Sequence, residues 1–524
     1  MSPRPANQYR LNPGSIARQL FCLAPDRDER APYLCAETLL TLVQNGYNAP
    51  ANADELSSPK RQLFAVRSLA LGVNFLGGRR DERAADTDTT PEDYGAMLAR
   101  GSDLRGSANL ALAQQALQGL VDPETERGEQ AGSKLLRPFH ESLLWFDARR
   151  TGRNSSTYTV RKVHMRGTGI SLARMLLDAP DPASARLGRA AVAAIRKALT
   201  TPTPLASISE VLEQALPPDQ IYSDKPIAVE QDEKDAWELG ADPRLAELSG
   251  QLCRHAEGVM LQGRASDPAK LWQLRCVLAL DFAIHILRTA WEATGTPERD
   301  RFLLLSFGGA PRAGDALRQR SEESYARARI RLGEATIATL AQRMKELKDD
   351  PAVIGFAGEF RDAALREDTD TVASVATQLQ SLPHDASEAE FARLARVAAE
   401  VSTSYGRGSE DGFRVLIESV GMVAGGSRYR YLTASTDLIA AMVGALSAHM
   451  PMSSREFMNA VFEEWGLVIN LESAADTALR DQLDGADLAR NVRHAERLMS
   501  DAGLAVGLSD RTTVVGERAD RRQP

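Results

Sequence analysis

A chain of 524 residues with 43% hydrophobic and 26% charged residues has the composition of a globular protein. It is longer than the roughly 250–300 residues at which one hydrophobic core stops growing. A formal net charge of −8 and a pI near 5.6 exclude a global field that would pull the protein onto DNA or an anionic membrane, so any such contact needs a local patch.

The first residues, MSPRPANQYRLNPG, hold no apolar h-region, and the four cysteines, Cys22, Cys35, Cys253 and Cys276, show no CxxC spacing. Both features suit a cytoplasmic, reducing setting. Apolar residues recur at three and four through Leu34, Leu39, Leu42 and Val43, and again from Leu63 to Leu71, which is the period of an amphipathic helix. The polar stretches starting at Gly77 and Asp122 read as loops. In RPFHESLLWFD, His140 and Glu141 have no partner that spacing identifies, and a helix face packing Leu143, Leu144 and Phe146 is the expectation.

Arg149 to Arg174 reads RRTGRNSSTYTVRKVHMRGTGISLAR, with seven basic residues and no acid. Alternation at Tyr158, Val160, Val163 and Met165 predicts a short strand pair, and RGTG predicts a turn after it. Arg149, Arg150, Arg153, Arg161, Lys162 and Arg166, with one tyrosine and the amides of a glycine turn, are what a phosphate backbone requires. The same residues would serve to dock an acidic partner, or this chain's own acidic segment. The turn lacks the lysine and spacing of a P-loop.

Ala185 to Leu199 predicts an alanine-rich helix stopped by TPTP. The Pro-rich and then acidic run from Leu216 to Trp237 marks a domain junction. It also holds a nuclease-like spacing: Asp219, then Asp232, Glu233 and Lys234 after the apolar run IAV. Two carboxylates and a lysine at such spacing can serve metal-assisted phosphodiester cleavage.

From Pro243 to about Val423 helical periodicity dominates, with breaks at 263–268, 294–297, 308–315 and 381–387. No fixed-period repeat is present. Lys270 to Trp291 is the most apolar long segment, but Arg275, Asp281, His285 and Arg288 within it are costly at a bilayer centre. Arg320, Arg327 and Arg331 share one face of a helix that also holds Glu322 and Glu323, as on an ordinary surface helix with intrahelical ion pairs. Cys253, His255, Cys276 and His285 sit among apolar residues and read as buried structural groups. Signatures of zinc peptidases, serine hydrolases, P-loops and paired CxxC motifs are absent, and no cofactor is implied.

Toward the C-terminus, Ser435 or Thr436 caps a helix, and Ser453 or Ser454 caps a second that ends at Gly466. LVI then reads as a short strand, Asp484 to Asp501 as a third helix, and LAVGL and RTTVV as a hairpin. This is the order of a winged helix. At 100° per residue, Leu488, Val492, Ala495 and Met499 face one way, while Arg490, Arg493, His494 and Arg497 face the other. Such a helix can reach phosphates or guanine edges in a major groove.

The pattern YLTASTDLIAAMVGALSAHMPMSSREFMNAVFEEWGLVIN, with LAVGLSDRTTVV after it, resembles the C-terminal part of the DptG-like helical accessory proteins of phosphorothioation-dependent restriction. These are encoded beside HerA/FtsK-like ATPases in bacterial anti-phage operons. The likeness covers about the last ninety residues. It implies a non-enzymatic subunit of a multi-protein defence complex, and carries over no active site.

The sequence therefore predicts a mainly α, multi-domain, irregular helical protein with a C-terminal winged-helix (α+β) domain. The expected parts are a helical domain at 1–148, a basic β-containing segment with a helix and linker at 149–235, a central helical domain at 236–425, a winged-helix-like domain at 429–516 and a tail at 517–524. The expected function is that of an adaptor contacting DNA or an acidic partner beside an ATPase. A metal-dependent nuclease and a protein-binding scaffold are the alternatives.

Overall fold

The computed structural model describes residues 13–23, 30–57, 62–63, parts of 137–150, 158–160, 167–201, most of 229–308, 315–348, most of 375–404, 409–426, 429–508 and 512–516. The protein is mainly helical, and no described helix is long and apolar enough to cross a membrane. Two compact units are present: Ala31–Leu278, and Met1–Arg30 with Ala279–Pro524.

The first unit contains α2 (Ala31–Gln44), strands β1 (Gln62–Leu63), β2 (Asp147–Arg150) and β3 (Tyr158–Val160), then α3 (Thr168–Leu177), α4 (Pro182–Thr200), α5 (Gln231–Leu239) and α6 (Ala246–Leu261). The strand expected at Tyr158 is present, but its antiparallel partner is the upstream β2, with β1 parallel on the far side of β2. Asp181 caps α4 by accepting from the Ser184 amide at 2.9 Å, with Pro182 in the first turn, the arrangement that best supplies orphan amides.

Helix α3 packs against α2, α4, α5 and α6, and two glycines let it do so. A Cβ on Gly169 would lie 2.6 Å from the Glu37 Cβ and 2.8 Å from the Leu34 carbonyl. On Gly188 of α4 it would lie 2.3 Å from the Leu176 carbonyl and 2.9 Å from the Cys253 sulfur. No side chain fits either crossing.

The second unit begins with α1 (Pro13–Phe21) and continues through the C-terminal part of α7 (Asp267–Ala293), β4 (Leu303–Leu304), α8 (Ala316–Leu347), α9 (Glu388–Ser404), α10 (Ser409–Ser419) and the antiparallel hairpin β5 (Val423–Gly426)–β6 (Tyr429–Leu432). Next come α11 (Thr436–Ser447), β7 (Met452–Ser453), α12 (Ser454–Trp465), β8 (Leu467–Val468), α13 (Leu471–Ala475), α14 (Gly485–Asp501), β9 (Ala505–Gly507) and β10 (Thr513–Val515). The expected caps are present. Ser435 accepts from the Leu438 amide, Ser453 and Glu456 form a capping box, and α12 ends at Gly466. The charged residues of α7 that argued against a bilayer are used internally in this unit: Asp281 accepts from the Trp465 indole at 2.7 Å, and Arg288 donates to the Glu464 carbonyl at 2.8 Å.

Periodicity did not predict the extended segment Phe302–Phe307, which lies within a region read as helical. Its amides go to five places. Leu303 donates to the Gly466 carbonyl, Leu305 to the Val468 carbonyl and Ser306 to the Leu432 carbonyl. Leu304 donates to the Ser324 hydroxyl and Phe307 to the Asn491 side chain. β4 thus pairs in parallel with β8, and Phe302, Leu304, Leu317, Val468, Ala474, Leu479 and Leu488 form one apolar cluster. A second cluster joins Ile16, Leu340, Met344, Leu379, Phe391 and Leu394.

Asn491, 1% exposed, closes the first cluster. Its amide nitrogen donates to the carbonyls of Leu305 at 2.9 Å and Ile469 at 3.0 Å, and its oxygen accepts from the Phe307 amide at 2.8 Å. Replacing Asn491 with alanine strands two buried carbonyls and one part-buried amide, so the variant is expected to lose about 2–4 kcal/mol in urea unfolding. An unchanged midpoint would show that these groups are satisfied another way.

Candidate nucleic-acid interface

Helix α14 starts at Asp484, whose carboxylate accepts from the Ala486 amide at 3.0 Å. Leu488, Asn491, Ala495 and Met499 form its buried face, which accounts for three of the four residues expected there. Val492 is only half-buried, and Asn491 lies inside in its place. Arg490, Arg493 and Arg497 are exposed and His494 is half-buried, so the expected cationic residues lie outward.

They are not alone. Arg490 pairs with Asp487 at 3.1 Å and Arg497 with Asp501 at 3.8 Å. Arg493 carries no ion pair among the described residues. Glu496, the third acid beyond the cap, accepts from Ser454 on α12 at 2.6 Å. Such exposed intrahelical pairs contribute only about 0.3–0.5 kcal/mol each, which leaves Arg490 and Arg497 free to exchange partners. Downstream, β7, β10 and β9 form an antiparallel sheet in that order, with Val514 opposite Ser453 on one side and Val506 on the other.

The basic window behaves differently. Arg149 and Arg150 lie on β2; Arg153, Arg161, Lys162 and Arg166 fall outside the described residues, as do Val163 and Met165. The glycine turn after them is present, with Gly167 at φ +96°. Its amides are not available to a phosphate. Gly167 and Gly169 donate to the two carboxylate oxygens of Glu37 at 3.0 and 2.8 Å, and Glu37 is buried. The positive end of a helix takes a carboxylate as readily as a phosphate, and here the chain supplies its own. Arg174 is also engaged internally, with Asp178 at 2.5 Å, the Pro50 carbonyl at 3.2 Å and the Trp237 ring at 4.8 Å.

The remaining candidate groups are structural where described. Arg320 pairs with Glu323 and Arg331 with Glu334, while Arg327 lies 5.3 Å from the Phe302 ring. All four cysteines are buried thiols outside any disulfide. Burial, reinforced by the charge of Asp181, pushes the Cys253 thiol up to about 12. His285 meets the Phe21 carbonyl at 3.0 Å. Glu141 accepts from the Tyr47 hydroxyl at 3.1 Å, a partner 94 positions away that spacing could not identify.

Asp219 lies outside the described residues. Asp232, Glu233 and Lys234 lie on α5 rather than in an irregular linker, and Lys234 pairs with Asp54 at 2.5 Å. Among the described residues no group of three or more histidines, cysteines or acids could hold a metal ion. Comparison with protein families, curated proteins and solved structures finds no match.

Glu37→Ala removes the acceptor of two buried amides, and a stability loss of about 2–4 kcal/mol is expected in urea unfolding; an unaltered curve would remove Glu37 from this role. Cys253 is expected to resist iodoacetamide at pH 8 in the native protein and to react after denaturation. Peptide mass mapping checks this, and rapid native alkylation would contradict it.

Proposed function

We propose that residues 429–516 act as a winged-helix module and that the protein is a non-enzymatic adaptor that lays the outward face of α14 against duplex DNA. The order α11, β7, α12, β8, α13, α14 and the β9–β10 hairpin, with strand order β7-β10-β9, supports the module. One observation carries the DNA contact: Arg493 stands exposed, with no ion pair among the described residues, between Arg490 and Arg497, whose own pairs are solvent-exposed and exchangeable. Three guanidinium groups along one helix face supply the positive charge that backbone phosphates attract.

The resemblance of the C-terminal pattern to DptG-like accessory proteins supports a place in a bacterial anti-phage complex, beside an ATPase or nuclease that supplies the chemistry. A second reading, a scaffold that docks only protein, is favoured by the balance of charge on α14, where Asp487, Glu496 and Asp501 answer the three arginines. Val506 and Met450, 50% and 71% exposed, also favour it.

Fluorescence anisotropy with a labelled duplex separates the two. Reversing Arg490, Arg493 and Arg497 to glutamate is expected to weaken binding at least about tenfold and to flatten the salt dependence by roughly two to three phosphate contacts. A wild-type protein that leaves the duplex unshifted at low salt, or a variant with the same curve, would leave only the scaffold.

A further inference from the structure

A second cationic cluster lies away from α14, where α8, α10 and β6 meet. Ser321 of α8 fixes β6 by accepting from the Leu432 amide at 2.8 Å and donating to the Leu432 carbonyl at 3.1 Å. One turn further along α8 is Tyr325, and two residues back along β6, on the same side of the strand, is Arg430. Thr336 and Ser409, 2.6 Å apart, join α8 to the start of α10, which carries Asp411, Arg414 and Glu418.

The carboxylates here are already committed. Glu418 takes both Arg430 and Arg414, the latter at 3.2 Å, and Asp411 lies 3.5 Å from the Arg414 Nε. Two donors remain. The Tyr325 hydroxyl, on a side chain 4% exposed, is buried with no hydrogen-bond partner. The Nε of Arg329, one turn on, is also buried and unpartnered; the Arg329 guanidinium carbon lies 5.9 Å from the Tyr325 ring centre.

Orphaned buried donors are rare because each gives up its hydration without a replacement. Burial raises the Tyr325 phenol above its ordinary range against the opposing pull of Arg329, Arg430 and Arg414, so it stays protonated and able to donate. Three guanidinium groups, Arg329, Arg414 and Arg430, and the Glu418 carboxylate act on this phenol. Buried donors without acceptors, beside guanidinium groups, suit a guest that brings acceptor oxygens and negative charge. Arg430 and Arg414, 35% and 27% exposed, border the cluster toward solvent.

We infer that Tyr325 and Arg329, with Arg414 and Arg430 at the rim, form a binding site for a tetrahedral oxyanion of the phosphate class. The anion accepts from the Tyr325 hydroxyl and the Arg329 Nε, and Glu418 yields part of its hold on Arg430 as it enters. The site is independent of the proposed DNA face, since it shares no residue with α14.

The test uses the full-length protein, with sodium phosphate titrated against sodium chloride at matched ionic strength, read by thermal shift and calorimetry. A saturable rise in Tm of at least about 2 °C is expected for the wild type. It should be lost in Arg329→Gln and in Tyr325→Phe, and kept in Arg331→Gln, which alters a paired surface arginine on the same helix. A wild-type response no larger than that to chloride overturns the site, as does a phosphate response that both variants retain. So does a Tyr325→Phe variant that is more stable than wild type where the wild type shows no phosphate response, the mark of a phenol facing only water. A short duplex added as competitor identifies the source: displacement of phosphate assigns the site to a nucleic-acid phosphodiester, and no displacement assigns it to a free oxyanion.

Discussion

The unit that holds the C-terminal elements depends on one extended segment, Phe302–Phe307, whose consecutive amides each find a different acceptor. A buried strand cannot leave its backbone unpaired, because every orphan amide forfeits its hydration without replacement. Here only two residues are in regular ladder pairing with β8, so Ser324, Leu432 and Asn491 must supply the rest. That requirement sets where α8, β6 and α14 lie relative to one another. It makes α14 more than an appended helix, since its Asn491 is needed by residues almost two hundred positions earlier.

The same logic of internal satisfaction operates at α3, where the acid-free window ends. A window without carboxylates does not mean carboxylates are absent in space. Glu37 reaches the α3 amides from a helix 130 positions upstream, and the glycines at the turn and at the α2–α3 crossing allow the approach. The helix end that looked suited to a nucleic-acid phosphate is a structural junction, with a carboxylate in the place of the anion.

On α14 the balance falls the other way. Its acids are close, yet the pairs they make are exposed and individually small. A polyanion can displace them at little cost, as it could not displace Glu37. Burial, more than the number of charges, separates a basic group held for folding from one open to a partner. The Tyr325 cluster stands between these cases: its rim is partly exposed and its innermost donors are buried.

Local chemistry determined much of this protein without its tertiary structure. Helix periodicity at 185–199 and 484–501 and the caps at Ser435 and Ser453 marked their helices, because capping and amphipathicity act over one or two turns and are written in neighbouring residues. The hairpin after α14, and the outward position of Arg490, Arg493 and Arg497, followed from the same short-range rules. Only the tertiary structure decided that Phe302–Phe307 is extended around β4, that Asn491 is buried, that β2 pairs with β3, and that Glu37 holds the glycine turn. Each of these depends on a partner between about ten and two hundred residues away, and a buried donor or acceptor is matched by what lies beside it in space, which no local pattern of residues records.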